Sequence, residues 1–316
     1  MKKILDNWKQ FLVEQKSTSV NIEGVGKIPV EIYNWYKKNA GYTDETFVNG
    51  TKELEERGNE VKRRLYKDFA SLKALNSFIT HSRKKKSSDG TILDFFMPVK
   101  EMTRFYTREL LPTIKEIIDE VPILPFYLAP RDLAMLMHAE RGETFGLYDI
   151  GSEKIVINIF SPSFDDDKRA YLTIYEELIH AIDHLLIFGT AGDMFQGKPR
   201  TLSDVFGSEL QKLLKPDAEI FKMGTSVEFK NYISNPVELY AKMRALKAEY
   251  ADQYGKDAFN SNGTIKKDFL EKRFKDPTEA KFLLDYFDIK KVDDIKKVID
   301  QLVKVDKKMP KGSKIA

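Results

Sequence analysis

The stretch Tyr171–Phe188, YLTIYEELIHAIDHLLIF, places the tightest limit on how this chain can fold. At about 100° per residue around a helix, Glu176, Glu177, His180, Asp183 and His184 share one arc of about 120°. Leu178, Ile179, Ala181, Ile182, Leu185 and Leu186 fill much of the remainder. A helix apolar over so wide a face must be covered on more than one side. The chain therefore needs other elements around this helix, with the polar stripe turned towards a cleft. The preceding Ser161–Asp167 supplies several N-cap residues, so the helix is predicted from about Lys168 to Phe188.

The stripe holds two of the chain's four histidines, which are His81, His138, His180 and His184. Residues four apart on a helix are neighbours, so His180 and His184 can share one cation. Glu177, three residues before His180, is placed to hold and deprotonate a bound water. The same residues can instead form a buried hydrogen-bond network with no metal. A second register on the same helix, His180-Ala181-Ile182-Asp183-His184, puts Asp183 in the position of the base.

The rest of the chain supplies the surroundings. Residues 1–118 read as a helical N-terminal region, with helices over 1–18, 29–39, 51–80 and 98–120 and a bend expected at Pro112. Glu23–Pro29 reads as a turn-rich link, and 81–92 as a loop. A mixed core follows over 119–252. Its expected parts are strands within Val121–Leu128 and Thr144–Tyr148, a helix over Arg131–Ala139, and a strand at Lys154–Phe160 on the edge of a small sheet. The Tyr171 helix comes next, then a helix over Leu202–Leu214. Asn235-Pro236 opens a second long helix reaching about Tyr250. Residues 253–316 read as a helical C-terminal extension with a flexible basic tail. In it Asp276-Pro277-Thr278-Glu279 forms a capping box.

Composition narrows the function. The chain has 316 residues, 42% of them hydrophobic and 32% charged, which is ordinary for a globular protein. A net charge of +3, from 52 basic and 49 acidic residues, speaks against nucleic-acid binding. The one sharp basic cluster, Arg83–Lys86, reads as a solvated loop or a contact for an anionic partner. No cysteine is present, so thiolate nucleophiles, disulfides and Cys-ligated metals are excluded. No apolar run is long enough for a membrane span. The N-terminal MKKILDNWKQFLVEQ reads as an amphipathic helix and not as a classical signal peptide. The expectation is synthesis in the cytoplasm, with delivery or packaging into a particle left open.

The stretch Glu176-Glu177-Leu178-Ile179-His180-Ala181-Ile182-Asp183 resembles the active-site helix of the anthrax lethal factor and Pro-Pro endopeptidase family of zincin metallopeptidases. That family carries His-Glu-x-x-His followed by Ala, an aliphatic residue and Asp. The resemblance covers about residues 120–250. It implies an α+β zincin-like core in which a small mixed sheet meets an active-site helix and a glutamate helix. It makes Glu177 the general base and His180 a metal ligand. It also makes Glu238, in Glu238-Leu239-Tyr240-Ala241-Lys242, the third ligand, and Tyr232 the group that steadies the oxyanion. Tyr232 reads equally as a core tyrosine. Glu176 stands where the family has its first ligand histidine, so His184 is the alternative ligand. The implied cofactor is a divalent metal, zinc first. Manganese or iron follow if the carboxylate of Glu176 ligates, and there is none if the site is degenerate.

Two functions follow. One is metal-dependent hydrolysis of peptide bonds in a peptide or protein substrate. The other is a catalytically inactive zincin fold that binds protein assembly partners, as a virion-associated protein or a delivered effector.

Overall fold

The computed structural model describes residues 19–71, 74–76, 85–86, 92–93, 99–125, 145–149, 151–161, 164–187, 236–287 and 295–308. In chain order the elements are β1 (Ser19–Ile22), β2 (Gly26–Pro29), α1 (Val30–Ala40), α2 (Asp44–Phe69), β3 (Lys85–Lys86) and β4 (Ile92–Leu93). There follow α3 (Val99–Phe105), a π-helical turn (Tyr106–Leu110), α4 (Leu111–Glu120), β5 (Ile123–Pro125), β6 (Gly146–Asp149), β7 (Lys154–Ile157) and α5 (Asp167–Ile187). The last are α6 (Pro236–Tyr254), a 3-10 turn (Gly255–Ala258), α7 (Lys267–Arg273), α8 (Pro277–Tyr286) and α9 (Ile295–Lys308). The protein is thus a mixture of helices and small sheets. Among the described residues no helix is long and apolar enough to cross a membrane.

The chain forms two compact units, one of Met1–Val61 with Val121–Glu177 and one of Lys62–Glu120 with Leu178–Ala316. In the first unit, β1 and β2 form an antiparallel hairpin with Ile22 opposite Gly26. The expected link over Glu23–Pro29 is therefore half of a hairpin. Gly24 and Gly26, both at positive φ, let the turn close. Pro29 precedes the first residue of α1, and Gly41 ends that helix in the left-handed conformation, φ 68°. Tyr42 N–H reaches back to the Tyr36 carbonyl, which completes a Schellman-type cap. Ile22, Ile28, Ile32, Tyr36 and Phe47 form one buried cluster, with Tyr42 and Phe160 packed against it.

The three-stranded sheet of the first unit has the order β5-β7-β6, with β5 parallel and β6 antiparallel to β7. This corrects one expectation. β7 lies at the centre of the sheet and ends at Ile157, since both neighbours pair with it. Gly50 and Gly58 of α2 admit the sheet region closely. A Cβ at Gly50 would stand 2.8 Å from Ile159 Cδ1, and one at Gly58 would stand 3.0 Å from Ile123 Cδ1.

In the second unit the predicted bend near Pro112 is a π turn. Leu111 N–H bonds to the Tyr106 carbonyl five residues back. Proline has no N–H to offer, and its ring crowds the carbonyl four residues earlier. Widening the preceding turn relieves that crowding. Met102, Tyr106, Leu110, Ile114, Ile117 and Ile118 make the buried stripe of this run. Helix α6 is buried at every position from Met243 to Tyr250, including Arg244, Lys247 and Glu249. Lys247 Nζ donates to Asp306 Oδ1 of α9 at 2.6 Å, and Asp306 Oδ2 accepts the Ile265 N–H at 2.6 Å. Asp276 caps α8 as predicted, accepting from the backbone N–H groups of Thr278 and Glu279. Glu279 in turn accepts from Tyr250 Oη at 2.9 Å.

Strands β1–β4 lie within the first 118 residues, so that region is not built of helices alone. Lys85–Lys86 of the basic cluster pairs with Ile92–Leu93 as a short strand where a loop was expected. The helices expected over 1–18, 131–139 and 202–214 lie outside the described residues.

Candidate functional site

Helix α5 begins where the sequence placed it. Asp166 Oδ1 accepts from the N–H groups of Lys168 and Arg169, at 3.0 and 3.1 Å, as an N-cap. Arg57 of α2 fixes the first turn through Asp167, at 2.7 Å. Ala170, Leu172, Ile174, Tyr175, Leu178, Ile179, Ala181, Ile182 and Leu185 are all buried, which is the wide apolar face read from the sequence.

Three groups of the polar arc are buried as well. Glu176, Glu177 and His184 are each less than a tenth exposed. These three side chains therefore belong to the interior and do not lie open along a cleft wall. His180 is half-buried, with its Nε2 atom shielded from solvent. Burial pushes the His184 imidazole below its ordinary pKa, which favours the neutral ring, the form that can ligate a metal.

Glu177 has the best-defined geometry. Its Oε2 accepts the backbone N–H of Tyr148, in β6, at 2.6 Å. The direction of that N–H follows from the ladder. Asn158 N–H bonds the Phe145 carbonyl, so residues 145, 147 and 149 carry the hydrogen-bonded pairs with β7, and 146 and 148 point the other way. Tyr148 thus offers its N–H from the outer edge of the sheet, where among the described residues no further strand takes it. The carboxylate gives that buried edge donor a hydrogen-bond acceptor. The approach is close. A Cβ at Gly146 would stand 2.6 Å from Thr173 Cγ2, 2.9 Å from Ile157 Cδ1 and 3.5 Å from Glu177 Cγ. Only glycine lets β6 lie this near the helix.

The sequence did not point to Tyr148 as the partner of Glu177, because 29 residues separate them. The available signal was Gly146 inside an expected strand, a mark of close backbone approach.

Of the residues predicted for the site, Glu176, Glu177, His180 and His184 stand on one continuous helix. Glu238 lies in the first turns of α6, but its side chain is outside the described residues, as is Tyr232 altogether. Among the described residues no group of three His, Asp or Glu side chains is placed to hold a metal ion. The donor chemistry of the stripe still suits one. Buried carboxylate and neutral imidazole are ligands for zinc, and for manganese or iron as the carboxylate share rises.

No family model matches the chain, and comparison with curated proteins and with solved structures finds no match either.

Proposed function

We propose that the α5 stripe is the metal-binding centre of a zincin-like hydrolase acting on peptide bonds. The observation that carries this reading is the Glu177–Tyr148 hydrogen bond. It holds the carboxylate that the resemblance makes the general base in one rotamer, on a helix where Glu176 and His184 are buried with it. Orientation of that kind is what a proton acceptor in catalysis requires. Glu176 and His180 would hold the metal, with Glu238 as the third ligand assigned by the resemblance and His184 as the alternative to Glu176. When bound, a divalent cation supplies Lewis acidity towards a carbonyl and lowers the pKa of a water. Glu177 would accept the proton of the attacking water on a carboxylate oxygen and pass it to the leaving amine. Tyr232 would donate to the carbonyl oxygen as negative charge develops there.

A second reading is favoured by the same bond together with Glu176 in the place of a ligand histidine. Glu177 then serves only to anchor β6, and the fold is a degenerate zincin used in assembly contacts.

Paired substitutions separate the two. Glu177→Gln keeps a side-chain oxygen for the Tyr148 N–H but cannot take a proton, whereas Glu177→Ala removes both. Under the hydrolase reading the wild type cleaves unstructured protein substrates such as casein, and Glu177→Gln abolishes cleavage with little change in melting temperature. If metal-loaded wild type and Glu177→Gln are equally inert, and only Glu177→Ala lowers the melting temperature, the anchoring reading stands.

A further inference from the structure

The first unit carries a cavity of about 380 Å³ that the α5 stripe does not use. It lies between the start of α2 and the segment that joins β7 to α5. Its aromatic wall is Tyr42, Phe160 and Phe164, and Glu45, Glu53 and Asp165 stand around it. Among the described residues no Lys, Arg or His lines it. We propose that this cavity binds an organic cation, an alkylammonium or guanidinium group, with the aromatic rings beneath it and the carboxylates at its edge.

Three features support that ligand class. The wall is rigid, because Tyr42 and Phe160 lie 4.5 Å apart between ring centroids and Phe160 is locked against Tyr36 and Phe47. Aromatic faces attract cations through their quadrupole.

Among the described residues part of the charge is uncompensated. Glu53 pairs with Arg57 at 2.6 Å, but among the described residues neither Glu45 nor Asp165 is held in an ion pair. A concave surface with one sign of charge concentrates the opposite sign. Asp165 also acts on the wall itself. Burial first, and its negative charge second, push the Tyr42 hydroxyl above its ordinary pKa.

The chain already uses this chemistry next door. The Arg57 guanidinium sits 4.6 Å from the centre of the Phe164 ring and bonds both Glu53 and Asp167. An incoming cation would meet the same combination of ring and carboxylate on the open side. The volume is at the small end for ligand pockets, which suits a side-chain-sized group rather than a large cofactor.

The cation could come from a free amine or from a Lys or Arg side chain of a peptide, and the test separates these. Full-length protein is titrated with methylguanidinium, n-butylammonium and the neutral isosteres N-methylurea and n-butanol. Binding is followed by calorimetry and by amide chemical shifts at Gly50 and Ser161. The same titrations are run on Glu45→Gln/Asp165→Asn. Both carboxylates are exposed, so the variant should fold, and its melting curve checks this. Saturable binding of a cation is expected, with no binding of its neutral isostere and a loss of about fivefold or more in the double variant. An acetylated and amidated Gly-Arg-Gly peptide that binds more tightly than methylguanidinium assigns the site to a peptide side chain. Equal or weaker binding assigns it to the small cation. No saturable shift at the two amides, equal binding of the neutral isosteres, or unchanged affinity in the double variant overturns the proposal.

Discussion

The Lys247–Asp306 pair offers the sharpest test of how the second unit is held together. Both side chains are shut off from water, at 2% and 0% exposure, and they meet at 2.6 Å. Asp306 also takes the Ile265 N–H with its other oxygen. Asp306→Ala therefore takes the ion-pair partner from a buried ammonium and orphans a buried amide. Breaking a buried pair costs about 3–5 kcal/mol, and an unsatisfied amide costs about 1–3 kcal/mol. The two losses overlap, because Lys247 can shed its proton, so about 4–6 kcal/mol is expected in total. At about 2–4 °C per kcal/mol for a chain of this scale, the melting temperature should fall by about 10–20 °C. Lys247→Met removes the ion-pair partner of Asp306 but keeps its amide donor, and should cost less. Lys247→Met/Asp306→Asn removes both charges and keeps an oxygen for Ile265, so it should recover most of the loss, ending within about 2 kcal/mol of wild type. Calorimetric melting of the wild type and the three variants ranks these losses. If Asp306→Ala melts within about 1 kcal/mol of wild type, or the double variant is less stable than Asp306→Ala, the reasoning from burial is refuted.

Other expectations follow from the same geometry. Gly146→Ala should destabilise by about 1–3 kcal/mol in denaturant melts, since its Cβ would meet the stiff Thr173 side chain at 2.6 Å. Asp276→Ala should cost about 1 kcal/mol through loss of the α8 cap, read by the same melts. Burial raises the Tyr106 hydroxyl to about 12 from an ordinary value of 10. Its contribution should be complete below about pH 10 and be lost as the pH rises through about 12, because the unfolded chain gives up this proton first. Melts across that range should show a shallower alkaline loss for Tyr106→Phe, which also gives up the bond to the Phe69 carbonyl.

Much of the helical framework was legible because its signals are local. Pro29 and Gly41 bracket α1, the aspartates before Lys168 open α5, and Asp276 opens α8. The polar arc of α5 was legible for the same reason, since helical spacing alone brings Glu176, Glu177, His180 and His184 onto one side. What escaped depends on distant partners or on short segments. The β1–β2 hairpin has strands of only four residues around two glycines, so the turn was visible and the strands were not. Nothing local says whether β7 is central or at an edge, because that is decided by where β5 and β6 arrive. The tie between Glu177 and Tyr148 is a tertiary event. So is the pairing of Lys247 with Asp306, which lies 59 positions away.

The proposed metal centre on α5 can be read from metal content alone. Protein purified without a metal-binding tag, exposed to equimolar zinc, manganese and iron(II) and then desalted, is subjected to elemental analysis alongside His180→Ala, Glu238→Ala and Glu176→His. The account predicts about one equivalent of a divalent metal in the wild type. It predicts loss of that metal in His180→Ala and Glu238→Ala, and a shift of preference towards zinc in Glu176→His. Wild type that emerges with no bound metal, or whose metal content survives both alanine substitutions, would contradict the claim and leave the stripe as a buried hydrogen-bond network.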